Sequence, residues 1–299
     1  MPTDEITAAA AGTWTLGDRT VRRMGFGSMR ITANPDRDRA VAVLRRAVEL
    51  GVNHIDTAAF YVSPGGTLRV GTGPARYATE LIRAALRPYP EDLVIATKVG
   101  FGYDRQQGFT EARTPAQLRA QVEENLRRLG RDHLDVVNLR LGREAGAAPL
   151  VDRFGALAEL RDAGLIRHLG LSNVRAEHLD EVAAVAPVVC VQNNYGVDAY
   201  REQQDAVVRL CGARGIAYVP FFALAGTARE AGAGAARNAA VEAVARAHDA
   251  TPQQVRLAWT LHQGPHVLAI PGTGDPAHLT ENIAAASLRL TPKDLTTLS

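Results

Sequence analysis

The sequence has few cysteines, few aromatic residues and no long apolar run. Its two cysteines, Cys190 and Cys211, lie among apolar neighbours, which predicts buried hydrophobic side chains rather than a disulfide framework. No apolar stretch reaches the roughly 20 residues that a membrane helix needs. The first residues lack the basic start and apolar run of a signal peptide, so we expect no membrane partner and a cytoplasmic location.

The sequence also has no large excess of positive or negative charge. The formal net charge is +2 and no basic run stands out, which argues against a nucleic-acid partner. The histidines show neither a His-Glu-x-x-His motif nor metal-ligand spacing, so we predict no metal site. Lysine is rarer still, because nearly every basic residue is arginine and only Lys98 and Lys293 are lysines. A lysine kept at position 98 therefore calls for a chemical reason.

Short strand-like runs alternate with helix-like segments along the 299 residues, which predicts a single α/β domain over 1–299. Residues 1–12 are predicted to be a flexible tail, and a β-hairpin follows around the turn at Gly17-Asp18. Many of the later runs are continuously apolar, as in strands buried on both faces of a parallel sheet. The predicted strands are Met24–Gly27, His54–Asp56, Leu93–Lys98, Leu134–Arg140, His168–Ser172, Val188–Gln192, Ile216–Pro220 and Val267–Ile270.

The segments between these runs have the apolar spacing of amphipathic helices. Three of them begin with a Thr-Pro pair at Thr114, Thr251 and Thr291, which predicts a threonine N-cap before each helix. A doubly wound sheet would be expected to carry Gly-x-Gly-x-x-Gly after its first strand, and the segment 25–30 lacks the third glycine. The pattern therefore favours a (β/α)8 TIM barrel.

Two long segments are predicted to be loops. Residues 62–76 are rich in glycine and follow the second strand, so we expect a flexible rim or lid over the carboxyl end of the barrel. The Ala- and Gly-rich run 223–240 is predicted to be a flexible loop. It would either fold over a bound pyrophosphate or be a surface loop without a function, in which such a composition is simply tolerated.

Polar side chains gather where the predicted strands end. In a (β/α)8 barrel the active site lies at the carboxyl ends of the strands, so residues at these positions are candidates for chemistry. The candidates are Asp56 with Tyr61 five residues later, Lys98, Arg140, Ser172 with Asn173, Gln192, Phe221, and the run from Pro271 to Gly274.

Several segments resemble those of aldo-keto reductases, and the likeness spans nearly the whole chain: GVNHIDTAAFY, VIATKVG, GLSNV, VQNNY and IPGT followed by HLTENIAA. The resemblance implies a catalytic set of Asp56, Tyr61 and Lys98. Its chemistry is consistent, because a carbonyl that accepts hydride also needs a proton. A tyrosine is a weak acid at neutral pH unless a neighbouring ammonium, here that of Lys98, stabilises its phenolate.

Arg140 departs from the family, most members of which carry histidine at this position. Arginine stays protonated and cannot shuttle a proton, but it can donate hydrogen bonds to a substrate oxygen or bind an anionic substituent. A structural ion pair is the alternative role. The segments DVVNLR, VNHIDT, VCVQN and GIAYVPFF most resemble the branch that contains pyridoxal reductases, so pyridoxal is the expected aldehyde.

The resemblance also implies a nicotinamide cofactor. Ser172, Asn173 and Gln192 would bind its carboxamide and Phe221 would stack on its ring. Positions that match cofactor-lining or phosphate-binding parts of the family are Gly27, Ser28, Met29, Phe222, Leu224, Gly226, Gly272 and Thr273. Glu281 and Asn282 match the adenine contact. The two basic residues that usually bind the 2′-phosphate are replaced by Gly272 and His278, so NADPH is expected and NADH is the alternative.

Three functions stay open on the sequence alone. The first is an NADPH-dependent aldehyde or ketone reductase, or the reverse oxidation. The second is a biosynthetic ketoreductase with a larger substrate, accommodated by the loop 62–76. The third is a nicotinamide-binding regulatory subunit with weak turnover. An intact set of Asp56, Tyr61 and Lys98 argues against the third, whereas Arg140 leaves it open.

Overall fold

A curled parallel sheet forms the centre of the molecule. The structure, a computed structural model, describes residues 6–68, 70–104, 106–142, 149–198, 201–221, 223–224 and 238–298. The strands are β1 (Thr13–Leu16), β2 (Arg19–Arg22), β3 (Phe26–Gly27), β4 (His54–Asp56), β5 (Val62–Ser63), β6 (Arg76–Tyr77), β7 (Val94–Val99), β8 (Phe101–Asp104), β9 (Gly108–Glu111), β10 (Leu134–Arg140), β11 (Ile166–Ser172), β12 (Val188–Gln192) and β13 (Ala217–Tyr218). Strands β3, β4, β7, β10, β11, β12 and β13 pair in that order, all in parallel.

Residues 267–269 close the sheet into a barrel. Val267 forms a parallel bridge with Tyr218 in β13, and Ala269 forms one with Met24 just before β3. Backbone hydrogen bonds accompany both bridges. The eighth strand predicted at Val267–Ile270 thus occupies the eighth position as isolated bridges rather than as a continuous strand. The predicted (β/α)8 barrel is confirmed.

Helices cover the outside of the barrel. They are α1 (Arg37–Glu49), α2 (Ala78–Leu86), α3 (Pro115–Leu129), α4 (Leu150–Asp162), α5 (Ala176–Val182), α6 (Arg201–Ala213), α7 (Ala239–Ala247), α8 (Pro252–His262), α9 (Pro276–Ala284) and α10 (Pro292–Thr297). The three predicted threonine caps are confirmed, because Thr114, Thr251 and Thr291 each accept a hydrogen bond from the third residue of their helix. Along the described residues, every helix is too short or too polar to cross a membrane.

The amino-terminal segment differs from the expected tail. Residues Ala8–Ala11 form a 3-10 helix in which Ala8 and Ala11 are buried, and the Ala8 N–H donates to the Leu50 carbonyl at the end of α1. This segment contains four consecutive alanines, whose small side chains pack closely without loss of rotamer freedom. Order therefore begins ahead of the predicted boundary at residue 12.

The antiparallel hairpin β1–β2 contributes to the core inside the barrel. Leu16 and Val21 cluster there with apolar side chains of the barrel strands, among them Val94, Val136 and Leu268. A second, larger core lies between the strands and the helices. Apolar side chains therefore fill much of the barrel interior next to this hairpin.

The glycine-rich segment after β4 is anchored at both ends. Strands β5 and β6 pair with each other, so the predicted loop 62–76 begins and ends in a short antiparallel ladder. Arg76, which is buried, donates to the carbonyls of Thr32, Thr72 and Pro74. A second hairpin, β8–β9, extends from the end of β7. Of the other predicted loop, residues 225–237 lie outside the described residues, and Ala239 and Ala240 belong to α7.

Candidate active site

Three strands bring the predicted catalytic residues together. Asp56 ends β4, Lys98 lies near the end of β7, Arg140 ends β10, and β7 pairs with both of the other strands. Tyr61 follows β4 in the next loop, and its hydroxyl donates to Asp56 Oδ2 over 3.3 Å. Lys98 Nζ lies 2.5 Å from Asp56 Oδ1 and 3.0 Å from the Thr57 carbonyl oxygen. The phenol, the carboxylate and the ammonium thus form one connected cluster.

Burial shapes the electrostatics of this cluster. The Lys98 side chain is 1% exposed and that of Asp56 is 6% exposed. Removal from water lowers the pKa of Lys98, whereas the Asp56 charge opposes that effect and favours the ammonium. Lys98 Nζ also lies 4.7 Å from the centroid of the Tyr61 ring. Negative charge on the phenol oxygen would therefore form beside a buried cation.

Arg140 lies at the edge of the cluster and is half-buried. Its Nη1 donates to the Ser172 hydroxyl over 3.2 Å, and its Cζ lies 5.1 Å from the centroid of the Phe221 ring. The Arg140 charge also contributes to the lowered pKa of Lys98. A guanidinium in this position can bind an anionic group of a substrate without entering the proton transfer.

The residues predicted to hold the nicotinamide carboxamide lie at the ends of β11 and β12. Ser172 and Gln192 are fully buried. Gln192 Nε2 donates to Asp56 Oδ1 over 2.8 Å, so this amide faces the catalytic carboxylate. Asn173 has a left-handed backbone with φ 62°, and its side chain donates to the Leu141 carbonyl over 2.9 Å. The structure therefore brings Ser172 and Gln192 next to the catalytic cluster, to which they are joined by hydrogen bonds with Arg140 and Asp56.

A cavity of about 770 Å³ opens beside the cluster, within the size range of small-molecule and cofactor sites. Catalytic and cofactor candidates line it together: Asp56, Tyr61, Arg140, Gly27, Met29, Phe221, Leu224, Gly272, Thr273, His278, Glu281 and Asn282. Residues predicted to contact the nicotinamide end and the adenine end of a dinucleotide thus line the same cavity. Phe222 and Gly226 lie outside the described residues.

Two observations fit a bound dinucleotide. Ser28 keeps a buried hydroxyl oxygen for which the described residues offer no hydrogen-bond partner, and its N–H donates to the Asp56 carbonyl. A Cβ at Gly272 would lie 2.4 Å from the Gly27 carbonyl oxygen, so two backbone segments meet at the cavity wall without intervening side chains. The glycines therefore let these two backbone segments pack directly against each other where Gly27 and Gly272 line the cavity.

Sequence reasoning missed part of the cavity wall. Phe101 and Phe109 come from the β8–β9 hairpin, and Phe60 directly precedes the catalytic tyrosine. The Phe60 ring meets that of Tyr61 edge-on at 5.2 Å between centroids, and Phe109 is 52% exposed at the mouth. The alternation of Phe101 and Tyr103, followed by Gly108 and the β-prone pair Phe109 and Thr110, is the signal that could have predicted this hairpin.

Basic residues near α9 were also missed. Arg30 and Arg39 line the cavity on the side of Gly272 and His278. Arg39 Nη2 lies 2.7 Å from Asp275 Oδ2, and Asp275 caps α9 by accepting from the N–H groups of Ala277 and His278. Arg39 comes from α1, far away in sequence, so no local pattern linked it to this site.

Comparisons with known proteins identify the family of the chain. A model of the Aldo/keto reductase family matches residues 23–299. The chain is 42% identical over 299 residues to pyridoxine 4-dehydrogenase of Escherichia coli (strain K12), covering 97% of this chain and 98% of the relative. It is 35% identical over 291 residues to an uncharacterized oxidoreductase of Schizosaccharomyces pombe, covering 95% and 88%.

Solved structures of aldo-keto reductases have a similar fold. An aldo-keto reductase from Klebsiella pneumoniae in complex with NADPH is similar with a TM-score of 0.78 at 26% identity, over 96% of this chain and 93% of that chain. A thermostable aldo-keto reductase solved with the inhibitor epalrestat has a TM-score of 0.76 at 28% identity, over 96% and 98%.

Proposed function

Because the chain belongs to the aldo/keto reductase family, we propose that it reduces an aldehyde or ketone with NADPH, or catalyses the reverse oxidation, with Tyr61 as the proton donor. The observation that carries this proposal is the contact of Asp56 with both Lys98 and Tyr61. The cofactor when bound supplies the hydride. The protein supplies the proton, the charge that makes the phenol acidic, and a cavity that holds both reactants.

The roles of the residues follow from their contacts. The Tyr61 hydroxyl gives its proton to the carbonyl oxygen as the carbonyl carbon accepts hydride. The Lys98 ammonium stabilises the phenolate that remains, and Asp56 keeps Lys98 charged and oriented. In the oxidative direction the same phenolate takes the proton from the alcohol. Arg140 stays protonated throughout and orients the substrate rather than exchanging a proton.

Pyridoxal is the substrate that we propose first. Its phenolic oxygen is adjacent to the aldehyde, so a carbonyl at Tyr61 would place that oxygen within the same small site as the Arg140 guanidinium. The relative in Escherichia coli is named pyridoxine 4-dehydrogenase, which supports this choice. The aromatic wall of Phe60, Phe101 and Phe109 offers flat apolar surface for a pyridine ring.

For the cofactor we propose NADPH, with NADH as the alternative. The half of the cavity lined by His278 and Gly272 also contains Arg30 and Arg39, which add positive charge on the side where the 2′-phosphate is expected. Asp275 partly offsets that charge. The relative from Klebsiella pneumoniae that was solved with NADPH supports this choice.

The test is the oxidation of NADPH by wild type and Tyr61→Phe with pyridoxal and a panel of uncharged aldehydes and ketones. We expect Tyr61→Phe to lose about 10²-fold or more in kcat while it still binds NADPH. Tyr89→Phe is the matched control, because this hydroxyl donates to the Leu129 carbonyl beside α3, away from the site. Turnover by Tyr61→Phe at the wild-type rate would refute the catalytic assignment.

The variant Arg140→Met tests whether Arg140 contributes to the reaction of pyridoxal but not to that of uncharged aldehydes. We expect it to lower kcat/KM for pyridoxal about tenfold or more, the scale of one charged hydrogen bond, and to spare an uncharged aromatic aldehyde. Equal loss with both aldehydes would argue against the anion-binding role. Tight NADPH binding without reduction of any carbonyl would favour the regulatory subunit instead.

A further inference from the structure

A continuous chain of hydrogen bonds runs inside the barrel to the catalytic carboxylate. The Cys190 thiol donates to Asn138 Oδ1 over 2.9 Å, and Asn138 Nδ2 donates to Gln192 Oε1 over 3.3 Å. Gln192 Nε2 then donates to Asp56 Oδ1 over 2.8 Å. All four side chains are buried, so water does not compete for these groups.

The absence of a side chain at Gly170 makes this series of hydrogen bonds possible. Asn138 in β10 and Cys190 in β12 are separated by β11, where Gly170 pairs with both of them. A Cβ at Gly170 would lie 2.0 Å from Asn138 Oδ1 and 2.7 Å from the Cys190 sulfur. Side chains of two non-adjacent strands therefore meet only because the strand between them presents none.

The groups at the two ends of this series of hydrogen bonds determine which atom donates and which accepts along it. Burial raises the pKa of the Cys190 thiol to about 12, so the sulfur keeps its proton and donates. Asn138 must then turn its oxygen to Cys190 and its NH₂ to Gln192. Gln192 in turn offers its oxygen to Asn138 and its NH₂ to Asp56, whose carboxylate only accepts. Each amide thus has one favourable orientation.

We propose that Asn138 is a positioning residue for the reaction, which acts through Gln192 on Asp56. By fixing the Gln192 amide, it adds a third donor to the Asp56 carboxylate, whose other donors are Lys98 and Tyr61. The carboxylate is thereby held where it can serve both the ammonium and the phenol. This inference rests on the proposed function, since it concerns the same reaction.

The consequence concerns the acidity of Tyr61. Among the described residues, the charged groups that share the site with this phenol include Asp56 on β4, Lys98 on β7 and Arg140 on β10. If Gln192 is released, the Asp56 carboxylate loses a donor, so more of its negative charge acts on the neighbouring phenol and the phenolate is stabilised less. The pKa of Tyr61 should then rise.

Asn138→Leu tests the proposal directly. We expect kcat to fall about tenfold at unchanged KM for the carbonyl, and the Tyr61 pKa to rise by about one unit. The pKa is measured without turnover, by ultraviolet difference titration of the cofactor-free protein against the same variant carrying Tyr61→Phe. Asn125→Leu is the control: this buried asparagine bonds Thr97 and the Gln121 carbonyl outside the barrel, so its loss should lower stability and leave the Tyr61 pKa unchanged.

Cys190 provides a second, milder comparison in case Asn138→Leu does not fold. Cys190→Ser keeps a donor for Asn138 and should retain the wild-type Tyr61 pKa, whereas Cys190→Ala frees the asparagine amide and should raise that pKa. A folded Asn138→Leu with unchanged kcat and Tyr61 pKa would overturn the inference. So would equal behaviour of the two Cys190 variants. Absence of carbonyl reduction by the wild type would instead refute the proposed function, while the titration still tests the positioning role.

Discussion

The ammonium of Lys98 lies 2.5 Å from the carboxylate of Asp56, and both side chains are almost completely removed from solvent. A buried pair of this kind contributes little net stability, because desolvation of the two charges offsets their attraction. Loss of one partner alone is costly, since the other charge is left buried without compensation. The pair is therefore better explained by the proposed chemistry of Tyr61 than by a structural role.

Asp56→Asn should destabilise the protein by about 3–5 kcal/mol, because the Lys98 ammonium would lose the charge that opposes its desolvation. The double variant Asp56→Asn, Lys98→Met should recover part of this loss, since no buried charge remains. Urea unfolding at neutral pH measures both effects. A double variant less stable than Asp56→Asn would contradict this account.

Stability should decline in acid because of His54 in β4. Burial lowers the pKa of this imidazole from 6.5 to about 4. Above pH 6.5 the ring is neutral in both the folded and the unfolded protein. Between pH 6.5 and 4 only the unfolded protein takes up the proton, so the free energy of unfolding decreases as the pH is lowered. The full loss is about 3 kcal/mol. His54→Leu should show a smaller decline over this interval; parallel pH curves for the two proteins would exclude the effect.

Gly272→Ala should separate the two backbone segments that meet at the cavity wall. Its Cβ would lie 2.4 Å from the Gly27 carbonyl oxygen, whereas at Gly274 the nearest atom is 3.6 Å away, an ordinary contact. We expect Gly272→Ala to lose about 1–3 kcal/mol of stability and to bind NADPH more weakly. Gly274→Ala should unfold at nearly the wild-type temperature. Thermal unfolding and fluorescence titration with NADPH distinguish the pair, and equal shifts in both variants would count against the close approach.

His278→Arg should increase the preference for NADPH. His278 is exposed on α9 and lines the cavity at the position where the family usually carries an arginine. An added guanidinium near the 2′-phosphate should raise the ratio of NADPH to NADH affinity about tenfold. Thr280→Arg places the same charge on the same helix as a control. If His278→Arg strengthens the binding of both cofactors equally, the 2′-phosphate does not lie there.

Much of the fold could be predicted because its determinants are local. Continuous apolar runs mark strands buried on both faces, and β7, β10 and β12 lie where these runs predict them. Thr-Pro pairs fixed the starts of α3, α8 and α10 for the same reason. Membership of the family and the oxidoreductase class were also confirmed.

Features that depend on distant partners could not be predicted. Arginine is usually a surface residue, yet Arg76 is buried and connects its segment to the Thr32 carbonyl, 44 residues earlier in the sequence. In the site, strand ends predicted which residues gather there, but not that Gln192 would face Asp56. In the proposed arrangement that orientation depends on Asn138, two strands away in β10, and no local sequence signal marks this residue.

Lysine scarcity gives this barrel a built-in reporter of its own opening. A protease that cleaves only after lysine has two target sites in the chain, and one of them, Lys98, lies inside β7 between the paired strands β4 and β10. A strand held on both edges cannot enter a protease cleft, so cleavage there requires the barrel to come apart. The rate at which the fragment 1–98 appears would measure how often the folded molecule opens around its active site.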